Sequence, residues 1–224
     1  MRSYVEKVQA LVWKDVAAEL RTREMLTSMF VFAILVIVVF NFAFELKVDN
    51  TEAVAPGVLW VAIVFAGMLG LNRSFIGEKD KGCMEGLLLC PVDRSAIYVG
   101  KMLGNVLFML TMEIIVLPIF SAFFNLSVFD PRLLLIVVLG TFGFAGVGTL
   151  FAAVAVHTKT REVMLPVLLL PVAVPVLVAA VKATGEVIAK VPPTAPGPWM
   201  GVLVGFDVIF LTVAFLTFEY VFQE

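Results

Sequence analysis

Residues 73–101, RSFIGEKDKGCMEGLLLCPVDRSAIYVGK, form the one long charged interruption in a chain that is otherwise mostly apolar. Acids and bases come first, then the apolar patch Leu87-Leu88-Leu89, then Pro91 and Arg94. Apolar runs long enough to cross a bilayer flank it on both sides, so it reads as a loop held at a membrane surface. That reading decides the fold class.

Apolar residues make up 61% of the 224 positions and charged ones 15%, well outside soluble usage. A soluble domain and a basic nucleic-acid face are both excluded. Working outward from the loop, six apolar runs cover approximately Met25–Phe44, Val54–Phe75, Met102–Phe124, Leu133–Val156, Val163–Val181 and Trp199–Phe222. Each has the length of a membrane helix, the fifth being the shortest. Ahead of them, residues 3–24 place Val5, Val8, Val12, Val16 and Leu20 at helical spacing, opposite Glu6, Lys7, Lys14, Asp15 and Arg21. This predicts an amphipathic helix lying on the bilayer surface. No cleavable signal peptide is expected, because this segment is too charged for an apolar core. The expected fold is therefore an all-α, six-span membrane domain over residues 1–224, with an interfacial helix at 1–24 and the charged loop at 76–101.

Lysine and arginine give the orientation. The N-terminal segment holds five, the 73–101 region five, and the fourth connection two (Lys159, Arg161), against four on the other side (Lys47, Arg132, Lys182, Lys190). Twelve against four places both termini in the cytoplasm. The last outer loop, Lys182–Pro198, ends in the proline-rich VPPTAPGPW and is expected to be irregular. Trp60, Trp199 and Tyr220 fall near span ends, at the depths of an aromatic belt.

Two acids lie inside spans, Glu113 in the third and Asp207 in the sixth. An ionisable group at membrane depth is a functional candidate. Either the two serve a proton or ion path, or each sits neutral and hydrogen-bonded to a neighbouring helix. Gly140, Gly143, Gly146 and Gly148 line the fourth span, and Gly201 with Gly205 makes a GxxxG in the sixth. Such residues allow close helix packing, within the chain or between subunits. Pro166, Pro171 and Pro175 are expected to kink or break the fifth span, which would then need cover inside the bundle.

Cys83, Cys90 and His157 have no spacing that suggests a metal or redox site, and no cofactor is expected on this chain. The sequence lacks GxxxxGK[ST], so ATP cannot be hydrolysed through a phosphate-cradling loop of its own. It also lacks HExxH, GxSxG and paired aspartates at membrane depth, so the chain reads as non-catalytic. A proton-coupled secondary transporter using Glu113 and Asp207 is the alternative. The two halves of the chain, however, show no convincing inverted repeat.

Within the loop, Met84–Leu89 can form a short helix stopped by Pro91. Two turns are too few to be stable alone, so Leu87 and Leu88 need a surface to bury against. The succession Glu78, Lys79, Gly82, Glu85, Leu87-Leu88, Pro91, Arg94, Gly100-Lys101 resembles the signature loop of ABC-2-class transporter permeases. WVAIVFAGMLGLNRSF at 60–75 and REVMLPVLLLPVAVPVL at 161–177 resemble the haem-exporter B subunits (CcmB) of bacterial cytochrome c maturation. The likeness covers nearly the whole chain. One departure is Cys83, which stands where the class often has Thr after the glycine.

The resemblance implies a coupling helix docked on a separate ATPase subunit (CcmA-like). Glu78, Lys79, Glu85, Leu87, Leu88, Pro91, Arg94 and Lys101 would be the coupling residues. It implies an elbow helix before the first span, a second copy of the chain, and haem-handling CcmC-like and CcmD-like subunits. It implies residence in the bacterial inner membrane. ATP would be bound by the partner and haem handled by the complex.

Overall fold

The computed structural model describes residues 3–45, 51–80, 92–126, 130–156, 158, 160–190 and 197–221. Helix α1 spans Tyr4–Thr22, α2 Glu24–Glu45, α3 Thr51–Asp80, α4 Arg94–Phe124, α5 Pro131–Ala155, α6 Arg161–Ile188 and α7 Pro198–Val221. Among the described residues, six helices (α2 to α7) are long and apolar enough to cross a membrane. The protein is an all-α, multi-pass membrane protein.

Helix α1 begins with a reciprocal capping box. The Glu6 amide donates to Ser3 Oγ at 3.3 Å, and the Ser3 amide donates to Glu6 Oε2 at 3.0 Å. It ends at Arg23, whose left-handed backbone (φ 56°) turns the chain within one residue into α2. The Glu19 carboxylate then accepts the Leu26 amide at 2.8 Å, satisfying an N–H that the new helix leaves without a partner. This elbow converts an interfacial helix into a span.

Helices α3, α4 and α5 make the centre. Helix α3 packs on α2, α4, α5 and α6, while α5 packs on α3, α4, α6 and α7. The most apolar windows of α3 and α5 are 72% and 67% buried, against 28% for α2 and for α7. The peripheral helices accordingly turn apolar faces outward, such as Val31, Leu35 and Val39 on α2. Lipid covers such faces at no hydrophobic cost, because its tails are as apolar as leucine. On the far side, Asp130 accepts the Arg132 amide at 2.8 Å as the cap of α5, with Pro131 at the first helical position. Hydrogen bonds from the Arg132 side chain and backbone hold the Asp130 carboxyl below its ordinary value.

Four expectations need correction. Helix α3 does not end at Phe75 but runs to Asp80, taking Gly77, Glu78 and Lys79 into the helix. Charge in that segment marks departure from the bilayer, not the end of the hydrogen-bonded ladder. Helix α4 likewise starts at Arg94 and not at Met102.

The fifth span is neither short nor broken: α6 is continuous through Pro166, Pro171 and Pro175 and ends at Ile188. Nor is it deeply buried, since its most apolar window is 33% buried. Leu165, Leu169, Ala173, Val176 and Ala180 face inward, whereas Pro171 and Pro175 lie on the exposed side. The inward stripe holds the helix against its neighbours, so a missing N–H on the outer side interrupts the ladder without severing it.

Trp60 does not belong to an aromatic belt. It is 2% exposed, and its indole N–H donates to Thr184 Oγ1 at 3.0 Å. The exposed Tyr220, by contrast, lies on the outside of α7.

Candidate functional site

The candidate site is the end of the bundle where α3 leaves and α4 enters. Residues 81–91, with the expected coupling helix Met84–Leu89 and with Cys83, Glu85, Leu87, Leu88, Cys90 and Pro91, lie outside the described residues, as does His157. Glu78 and Lys79 belong to the last turn of α3. The structure describes the anchorage on either side of that connection, beginning with Arg94 and Lys101.

Arg94 opens α4, and its guanidinium donates to the Glu219 backbone carbonyl at 3.0 Å. Glu219 is in the last turn of α7, where carbonyls lack helical partners and the helix dipole favours a cation. Lys101, about two turns further along α4, is 1% exposed. Its ammonium pairs with Asp15 of α1 at 3.0 Å, donates to the Ser74 carbonyl of α3 at 3.3 Å, and lies 5.5 Å over the Phe75 ring. Of the residues expected to couple to a partner, Arg94 therefore fastens the last helix and Lys101 is internal.

Helix α1 follows the first turns of α4 closely. The Tyr4 hydroxyl donates to Ser95 Oγ at 3.4 Å, and Lys7 pairs with Asp93 at 3.2 Å. Gly100 lets Leu11 approach: a Cβ there would sit 2.8 Å from the Leu11 Cβ. Asp93 occupies the N-cap position of α4 without a side-chain cap bond. Its carboxylate instead accepts from Lys7.

Deeper in the membrane a second polar set runs between α4 and α5. The Tyr98 hydroxyl donates to the Gly146 carbonyl at 3.1 Å, Asn105 donates to Thr149 Oγ1 at 3.0 Å, and Thr141 donates to Glu113 Oε1 at 2.6 Å. Glu113 is 1% exposed and Asp207 7%. Glu113 Oε2 and Asp207 Oδ1 have no hydrogen-bond partner among the described residues.

Asp207 reaches α5 at Gly143, beside Phe206. Positions 141 and 143 are about 200° apart around a helix, so the two acids meet different sides of α5 and do not form a pair. Among the described residues, no group of three or more His, Cys, Asp or Glu side chains comes close enough to hold a metal ion.

Sequence reading missed Asp15, Asn105, Thr141, Thr149 and the Trp60–Thr184 pair. For Asn105, Thr141 and Thr149 the available signal was a single amide or hydroxyl inside an apolar run, whereas Thr184 falls in a stretch that reads as loop. Asp15 gave none, because a carboxylate on an amphipathic helix reads as solvated.

A family model described as "CcmB protein" matches residues 6–221. Among curated proteins, the chain is 28% identical over 179 residues to "Heme exporter protein B" of Pseudomonas aeruginosa, covering 80% of each chain. It is 25% identical over 207 residues to the protein of that name from Bradyrhizobium diazoefficiens, covering 92% of each. A third likeness, 26% over 174 residues, is to that of Rhodobacter capsulatus, covering 76% of this chain and 79% of the relative.

Proposed function

The chain belongs to the CcmB family, and we propose that it is the permease subunit of a haem exporter serving cytochrome c biogenesis. ATP is hydrolysed on a separate CcmA-like subunit docked on the 76–101 loop, and the permease itself is non-catalytic. The complex also holds CcmC-like and CcmD-like subunits and a second copy of this chain. It resides in the bacterial inner membrane with both termini in the cytoplasm, and haem is its cargo or the load of its chaperone.

One observation carries the mechanical part of this reading. The helix that leads out of the 81–91 connection is tied to three elements: Arg94 fastens it to α7, and Lys101 fastens it to α1 and to α3, the helix that leads in. A displacement of the connection therefore reaches the elbow helix and the last span together. Packed interfaces of this kind pass a push on as a rigid shift, because close-packed interiors have little compressibility.

Substituting Leu87→Asp tests the docking. A charge in the apolar patch should abolish co-purification of the ATPase subunit and the yield of c-type cytochromes, while the chain stays in the membrane at wild-type amount. ATPase recovered unchanged with this variant would sink the docking role of the loop.

A further inference from the structure

A lysine ammonium is rarely found fully buried unless it is paired. That of Lys101 is buried between α1, α3 and α4, the last two being the helices that lead into and out of the 81–91 connection. Asp15 supplies the counter-charge from α1 at 3.0 Å. Ser74 and Phe75 supply a carbonyl and a ring face from the helix leading into the connection. Lys101 itself belongs to the helix leading out of it.

Asp15 is 13% exposed and is also 3.3 Å from the Lys14 ammonium, which stands at the surface. The junction is thus dry on the lysine side and open to solvent on the aspartate side. Separating the pair would leave a buried charge uncompensated, so the three segments hold their spacing as a unit.

We propose that Lys101 is a positioning residue: its ion pair with Asp15 and its bond to the Ser74 carbonyl tie the elbow helix to the helices on either side of the connection, so that a force on the connection moves α1 as well. Through the Glu19 carboxylate on the Leu26 amide, that movement continues into the first span. The inference rests on the docked ATPase proposed above. It differs from a role for Lys101 in touching that subunit, since a side chain 1% exposed inside the bundle has no face to offer it.

The test uses the complex purified through this chain together with its ATPase subunit. Lys101→Met keeps the length of the side chain and leaves Asp15 its contact with Lys14. This variant should retain wild-type abundance and wild-type recovery of the ATPase. ATP turnover per complex and c-type cytochrome yield should fall about tenfold, within the usual range of coupling between sites.

A covalent replacement separates transmission from simple folding. A Cβ on Gly104 would lie 3.9 Å from the Asp15 Cβ, within the range of a disulfide. In Lys101→Met with Asp15→Cys and Gly104→Cys, and with Cys83 and Cys90 changed to Ser, oxidation should restore turnover. Reduction of the same sample should abolish it again.

Turnover of Lys101→Met equal to wild type, a loss that merely follows abundance, or indifference to oxidation would each overturn the proposal. A wild-type chain that brings down no ATPase would instead remove the functional reading beneath it.

Discussion

Helices α5 and α7 carry the same signature, glycines spaced for close approach, and use it in opposite ways. On α5, Trp60 lies in the notch at Gly140, Asp207 and Phe206 in that at Gly143, Leu211 in that at Gly146, and Leu71 in that at Gly148. On α7, a Cβ at Gly201 or Gly205 would meet nothing within 4 Å. The difference follows from position. Helix α5 is surrounded by four others, so each missing side chain is room for a neighbour's. Helix α7 is peripheral, and its glycines face away from the chain. A glycine pattern thus announces a capacity for close contact and not its address.

Filling the α5 notches should have the largest effect. Gly140→Ala would drive the Trp60 ring from its seat and break the bond to Thr184. Overpacking of this kind costs roughly 2–3 kcal/mol. The thermal unfolding midpoint in detergent should fall, with a shift in tryptophan emission. An unchanged midpoint would mean that the notch has slack.

An intermediate effect is expected where α5 meets the buried acid. Thr141→Val removes the 2.6 Å hydrogen bond to Glu113, whose other oxygen has no partner among the described residues. Leaving a buried acceptor unsatisfied costs about 2 kcal/mol. Thr141→Ser, which retains the hydroxyl, should recover most of it in the same unfolding assay. Equal losses in the two variants would show that packing, and not the hydrogen bond, matters at this contact.

The smallest effect belongs to α7. Gly201→Ala with Gly205→Ala should leave the isolated chain no less stable, since nothing blocks the added methyls and alanine is the better helix former. A large loss for the isolated chain would contradict the open space at these positions. A loss seen only in the assembled complex would sharpen the contrast, because it would reveal a neighbour closing on α7.

The site was legible in part. The elbow helix, the charged connection and both intramembrane acids can be read from periodicity and from charge set against hydropathy. Those signals are local and strong when the solvent is a bilayer. Lys101 also stands out, but as one more loop cation, because the sequence places it where the apolar run has not yet begun. Its burial depends on α1 folding back along α4, a contact between segments remote in sequence. Trp60 was misplaced for the same reason. An aromatic near a span end has two outlets, the headgroup region or a neighbouring helix, and Gly140 with Thr184 chose the second.

By itself, the sequence determined six spans, one interfacial helix and a chain without a phosphate-cradling loop of its own. Each follows from run length, periodicity or a missing motif, and none needs a partner segment to be identified. Tertiary structure alone decided which glycines are filled. It also decided that three prolines leave α6 continuous, with Pro171 and Pro175 on its outer side, and that Lys101 is an internal tie. In a membrane, apolar surface is satisfied by lipid as well as by protein, so hydrophobicity fixes which segments cross but not how they pair. Pairing is left to shape and to the few polar groups that must find one another across helices.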